Sequence, residues 1–177
     1  MSRMPLVVAA EAKSEAKELL ERTQAQLGRV PNLYRAMANS PAALDGYLSF
    51  RAALVRGRLD SRLREQLALL IAQANGCEYC VSAHSLRGSK IGIAEAELAA
   101  NRQAQSDDPR VAAALAFAKT LIETRGRVDD RALAAVREAH WSDEEITEVV
   151  AHVALNLFSN YFNHVAQPAL DFPRVEV

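Results

Sequence analysis

Apolar residues recur along this chain at intervals of three and four, and β-branched residues nowhere alternate with polar ones. That pattern predicts helices throughout. Glycine and proline are scarce and fall at punctuation points, so they mark the helix ends. A first helix is predicted over about 11–27, stopped by Gly28 with Pro31 beyond. PNLYRAMANS predicts a short second helix. A third has Ser40 as N-cap, Pro41 in its first position and Gly57 as its stop. The fourth, in DSRLREQLALLIAQANG, starts at Asp60 or Ser61 and ends near Gly76. Its second half is apolar nearly all round, which predicts deep burial. A fifth runs from Cys77 to about Arg87 and is stopped by Gly88. A short helix over Ala94–Asn101 follows, then one capped by Asp108 with Pro109 leading, then DDRALAAVREAH. The last opens on a capping box, Ser142 with Glu145, and runs to the region of Pro168. No linker or low-complexity tract interrupts the series, so the expectation is an all-α fold, one helical domain over 1–177.

There is one internal echo. Glu65 precedes His84 by nineteen residues, and Glu145 precedes His164 by nineteen. A duplicated helix pair and chance both account for it.

The composition narrows the class. At 177 residues the chain is long enough for a substantial core, and 50% hydrophobic with 24% charged is ordinary for a soluble protein. A net charge of −1, with no Lys/Arg run, argues against nucleic acid as a partner. The longest early apolar run, PLVVAA, is too short for a signal-peptide core or a membrane span. A cytoplasmic protein, with no membrane partner, is expected.

That compartment bears on the two cysteines, Cys77 and Cys80, which share the stretch GCEYCVSAH with His84. The cytosol keeps thiols reduced, so a disulfide there is usually catalytic or redox-sensing. As a staple the pair is poor, since closing so short a loop is worth only about 2 kcal/mol. At a helix start, residues three apart share a face with Cβ atoms roughly 5–6 Å apart, within disulfide reach. The first-turn N–H groups and the helix dipole favour a thiolate.

His84 lies one turn beyond Cys80 on the same face, positioned to take its proton. This nominates Cys80 as nucleophile and Cys77 as resolving thiol; the dipole supports the reverse, because Cys77 is nearer the N-terminus. If the chain reverses at Asn75–Gly76, Glu65 lies about 15 Å back along its helix and His84 about 12 Å along the next. The two are then level on helices roughly 8–10 Å apart, so Glu65 reaches His84 directly or through one water.

A relay of Glu65, His84, Cys80 and Cys77 has the parts a peroxide reaction needs. A thiolate attacks oxygen, an acid protonates the leaving group, and a second thiol traps the sulfenic acid. An outside dithiol must then reduce the disulfide. Zinc competes for the same residues, with Cys77, Cys80, His84 and Glu65 as ligands. Against it stand the missing second CxxC and the crowding of three ligands on one short helix. His140 sits at a helix end, where a cation suits the dipole. His152 and His164 fall on the last helix among apolar neighbours. Tyr79 is either packing or the border of a substrate entrance, and Trp141 reads as a hydrophobic staple before the capping box.

REQLALLIAQANGCEYCVSAH resembles the core motif of the alkylhydroperoxidase D-like, carboxymuconolactone decarboxylase family, with the glutamate, both cysteines and the histidine at the family spacing. LGRVPNLYRAMANSPAAL and NLFSNYFNHVAQPALDFP resemble flanking segments of its peroxidase-related branch. The resemblance implies an all-helical fold assembling as trimers or hexamers. A hydroperoxide substrate and an external dithiol donor are expected, with no cofactor and no metal. Cys80 is then the attacking thiol, Cys77 its partner, and Glu65 with His84 the proton relay. Tyr79 stands where some members carry a histidine, which removes that second proton path. The decarboxylase branch generally lacks the cysteine pair. A general disulfide oxidoreductase or redox sensor is the alternative activity.

Overall fold

The punctuation read from the sequence becomes helix termini. A computed structural model describes residues 2–177, with nine α-helices and no strand among them. A 3-10 turn at Ala9–Glu11 leads into α1 (Ser14–Leu27), α2 (Asn32–Met37) and α3 (Pro41–Val55). There follow α4 (Ser61–Ala74), α5 (Glu78–Lys90), α6 (Glu95–Asn101), α7 (Pro109–Thr124), α8 (Asp130–Glu138) and α9 (Asp143–Ala166). Ser40, Asp60, Asp108 and Asp129 each accept a backbone N–H in the first turn of their helix, and Ser142 with Glu145 closes a capping box. Each such cap is worth about 1 kcal/mol.

α4 lies between two apolar clusters, which is why its second half is apolar all round. Leu69 and Ala72 join Leu20 of α1, Met37 of α2, Leu44 of α3 and Val81 of α5. Leu67, Leu70 and Ile71 face Leu115 of α7, Val136 of α8 and Val153 of α9. Packed from both sides, α4 is held rigidly where it presents Glu65.

The turn from α4 to α5 is a Schellman motif. Gly76 is left-handed at φ 64°, with its N–H on Gln73 O at 3.0 Å, while the Cys77 N–H reaches Ala72 O at 2.9 Å. The reversal sets α5 back against α4. Cys77 is the N-cap of α5 rather than its first helical residue.

Two expectations need correction. Gly88 does not stop α5, which continues to Lys90 before Gly92 turns at φ 83°. Gly88 is inside the helix because a Cβ there would come within 2.6 Å of Leu98 on α6; it serves close packing. The Glu145–His164 echo is not a second hairpin either. Both residues lie on the unbroken α9, about 28 Å apart along its axis.

Beyond α9 the chain doubles back over α2 and α5. Asp171 accepts from the Tyr79 hydroxyl at 2.6 Å and the Asn32 N–H at 3.0 Å, and pairs with Arg29. Phe172 meets the Tyr79 ring edge-on, and the Val175 N–H donates to Ser82 Oγ at 2.9 Å. Tyr79 thus anchors the C-terminal segment while accepting the Leu33 N–H at 3.1 Å.

Candidate active site

The turn at Gly76 brings the two cysteines to the mouth of α5. Cys77 and Cys80 are both buried, with Cα atoms 5.3 Å apart and sulfurs paired as a disulfide. Cys77 Sγ also accepts the Cys80 N–H at 3.3 Å, so the sulfur fills the N-cap role usually taken by oxygen. The capping N–H and the helix dipole stabilise negative charge there once the pair is reduced.

Asn163 of α9 completes this half of the site. Its Nδ2 donates to Cys80 Sγ at 3.1 Å and lies 3.8 Å from Cys77 Sγ. The side chain is buried and its Oδ1 has no hydrogen-bond partner. A stranded carbonyl oxygen is a cost accepted to aim the amide N–H at sulfur. Nothing near the cysteines in sequence signals this residue, since it is 83 positions from Cys80.

The other half is the acid–base pair. His84 Nδ1 and Glu65 Oε2 are 2.6 Å apart across the α4–α5 hairpin, a direct bond as the level placement implied. Burial works against the charge on Glu65. The His84 ring beside it, with Arg87 and Arg51 farther off, outweighs burial and holds its pKa below the ordinary glutamate range.

The structure joins Glu65 to His84 and Cys77 to Cys80, but no hydrogen bond among the described residues links the two pairs. The reason is local. His84 commits Nδ1 to α4, while the Cys80 sulfur turns toward Asn163 on α9. Cys77 lines a cavity of about 320 Å³ with Tyr79, Asn163, His164 and Leu170. Glu65 and His84 line another of about 330 Å³, which shares no residue with the first.

The remaining histidines divide between these openings. His164 Nε2 bonds the Asn75 carbonyl at 2.9 Å beside the cysteines. His152 is buried in the wall of the Glu65–His84 cavity, its Nε2 without a partner. Burial, with Arg64 adding to it, pulls its pKa down to about 4. His140 lies just past α8 at φ 64°, away from both cavities. Trp141 and Ile146 share a buried cluster, as a staple requires. No three His, Cys, Asp or Glu side chains among the described residues converge as a metal-binding group.

An all-helical scaffold with a cysteine pair at a helix mouth and a buried acid–histidine pair defines a class, and comparison shows what it is similar to. Residues 41–120 match the model of the carboxymuconolactone decarboxylase family. The crystal structure of the alkylhydroperoxidase AhpD core from Ralstonia eutropha JMP134, an uncharacterized peroxidase-related protein, is similar at TM-score 0.84 and 26% identity. That match covers 96% of this chain and 92% of the other. A peroxidase-related protein from Silicibacter sp. TM1040 matches at TM-score 0.77 and 21% identity, covering 98% and 90%. The debrominase Bmp8, solved with 2,3,4-tribromopyrrole, shares the fold at TM-score 0.79 and 20% identity, covering 97% and 94%. No curated protein matches significantly. The chain is thus similar to the carboxymuconolactone decarboxylase family over residues 41–120, and its whole length shares the fold of the alkylhydroperoxidase AhpD core.

Proposed function

We propose that this protein is a thiol-dependent peroxidase. The observation that carries the reading is a disulfide-forming pair of which one sulfur, Cys80, receives the buried Asn163 amide. In the reduced protein the Cys80 thiolate attacks the terminal oxygen of a hydroperoxide. The O–O bond breaks, and the departing alkoxide takes a proton, leaving as alcohol. Cys80 is then a sulfenic acid, and the Cys77 sulfur displaces its oxygen as water, forming the S–S bond. One hydroperoxide and two thiols become alcohol, water and disulfide. An external dithiol, meeting the pair from the Cys77 cavity, restores both thiols by exchange.

Glu65 and His84 supply the proton path. With Nδ1 held by Glu65, the ring is fixed in orientation, and a water bridging from His84 to the reacting oxygen spans the gap to Cys80. The apolar stripe of Val150, Phe158, Tyr161 and Val165 exposed along α9 supports self-association, as a trimer or hexamer. A reducing compartment, the cytoplasm, suits the cycle.

The test is hydroperoxide consumption coupled to a dithiol. Cys80→Ser abolishes turnover, while Cys77→Ser leaves a single turnover that stalls one oxygen heavier at Cys80 by mass. Undiminished turnover in Cys80→Ser refutes the mechanism. A second reading, disulfide exchange with protein thiols, draws on the placement of Cys77 in its own cavity. Faster reaction with a disulfide substrate than with any hydroperoxide favours it. The fold relative Bmp8 makes a brominated pyrrole the third electrophile to assay.

A further inference from the structure

The cavity over Glu65 and His84 has a charge pattern the proton relay does not use. Four cations line it, Arg51, Arg64, Arg87 and Lys90, against the single carboxylate of Glu65. Two of these groups are already engaged: Arg64 donates to the Leu59 carbonyl, and Glu65 bonds His84. Arg51 and Arg87 are half-buried, and among the described residues neither has a carboxylate within salt-bridge distance. Burial opposes the charge of Arg87, but Tyr34, Glu65 and Tyr47 around it keep it protonated. Guanidinium groups without a carboxylate partner in a partly desolvated wall are sites for an oxyanion, which they bind through charge-assisted, often bidentate hydrogen bonds.

Two further observations point to a ligand. His152 is 4% exposed, lines the same cavity, and leaves Nε2 buried with no partner. A buried polar nitrogen without a partner is rare, and a bound polar group relieves it. Beside Tyr47, Ser61 and Asn156, the rest of the wall is apolar, with Ala68 and Leu155 inside and Val55 and Ile91 exposed at 47% and 44%. A volume of about 330 Å³ falls at the small end of the range of roughly 300–1,000 Å³ for ligand cavities.

We infer that this cavity binds a small organic anion, a carboxylate on a short apolar body, with Arg51 and Arg87 holding the carboxylate. Resting on the thiol-peroxidase reading, the inference further names the substrate class: a hydroperoxide that carries a carboxylate, drawn to the His84 side of the centre.

The test separates binding from chemistry. Calorimetric titration uses the redox-silent Cys80→Ser protein with hexanoate and, as the uncharged match, hexanamide. Hexanoate is expected to bind at least about tenfold more tightly than hexanamide, and its affinity to fall as salt is raised. Arg51→Gln and Arg87→Gln should each cut that preference severalfold. Arg51→Gln decides the matter if Arg87→Gln fails to fold by circular dichroism. Equal affinity for the two probes, or hexanoate binding undiminished in the folded variants, overturns the site.

The second arm measures turnover by the unmutated protein, with a tertiary alkyl hydroperoxide bearing a terminal carboxylate and with its amide. A lower KM for the carboxylate supports the substrate class, and equal KM values overturn it. Hexanoate binding with turnover of neither hydroperoxide overturns the thiol reading and the substrate class while the anion site stands. Turnover of both without hexanoate binding overturns the anion site and the substrate class while the thiol reading stands.

Discussion

Replacing Asn163 with leucine probes the thiol centre where it is most specific. The two side chains have nearly the same shape, so the change removes the amide N–H at 3.1 Å from Cys80 Sγ and little else. A hydrogen bond to a charged group is worth roughly 1.5–3 kcal/mol, and one pKa unit corresponds to about 1.36 kcal/mol. The Cys80 thiol should therefore rise by about one to two units in Asn163→Leu. Cys77, 3.8 Å from the same nitrogen, should move less. The assay is the rate of iodoacetamide alkylation of the reduced protein against pH, read for each cysteine by peptide mass.

Stability separates this role from packing. Asn163 Oδ1 is already buried without a partner, so leucine strands no new acceptor and removes one that costs free energy. Urea unfolding of Asn163→Leu should stay within about 1 kcal/mol of the parent. An unmoved Cys80 titration midpoint in a folded variant refutes the assignment of Asn163 as the thiolate's donor. A large stability loss with no thiol shift would make the residue a packing element.

Three other outcomes follow from the geometry. Glu65→Gln keeps a partner for His84 but not its charge, and together with His84→Ala it should lower peroxide turnover by about 10²–10⁴; iodoacetamide alkylation of Cys80, which needs no proton donor, is the control that should change far less. His152 titrates near 4 when folded against 6.5 ordinarily, so as pH falls through that window the unfolded chain takes up a proton that the native state refuses. Stability is intact at pH 7 and declines by about 3 kcal/mol toward pH 4 from this group; His152→Gln should flatten that part of a urea-stability profile, and an unchanged slope counts against it. Gly88→Ala puts a Cβ within 2.6 Å of Leu98 and should lower stability by about 1–3 kcal/mol in thermal unfolding, despite the better helix propensity of alanine.

What was legible in the sequence is what local chemistry decides. Ser40, Asp60, Asp108 and the Ser142–Glu145 box announce helix starts because capping is settled within four residues. The Glu65–His84 bond follows from one turn at Gly76 and the helical rise, so it too could be reckoned from spacing. Gly88 misled because tertiary packing against Leu98 overrode its local meaning. Asn163 and the Asp171 clasp on Tyr79 were invisible, since each joins segments more than eighty residues apart. The cation-lined cavity gave no run to notice either, because Arg51, Arg64 and Arg87 come from three helices.

These non-local contacts also explain why the expected linear relay is divided. A helix face alone stacks Cys80 beneath His84, but α5 is held from two sides. Through Glu65, α4 draws the imidazole one way; through Asn163, α9 draws the sulfur another. Cys77 and the acid–base pair consequently meet different cavities, one bordered by the C-terminal segment and one by α3 and α9, with Cys80 buried and lining neither. Such a division suits a reaction with two partners of unlike size. In the proposed cycle a bulky reductant would need only the sulfur at the N-cap of α5, whereas a small anionic oxidant would need a shaped, charged hollow against the proton donor. In the proposed peroxidase cycle the two half-reactions would then not compete for the same surface.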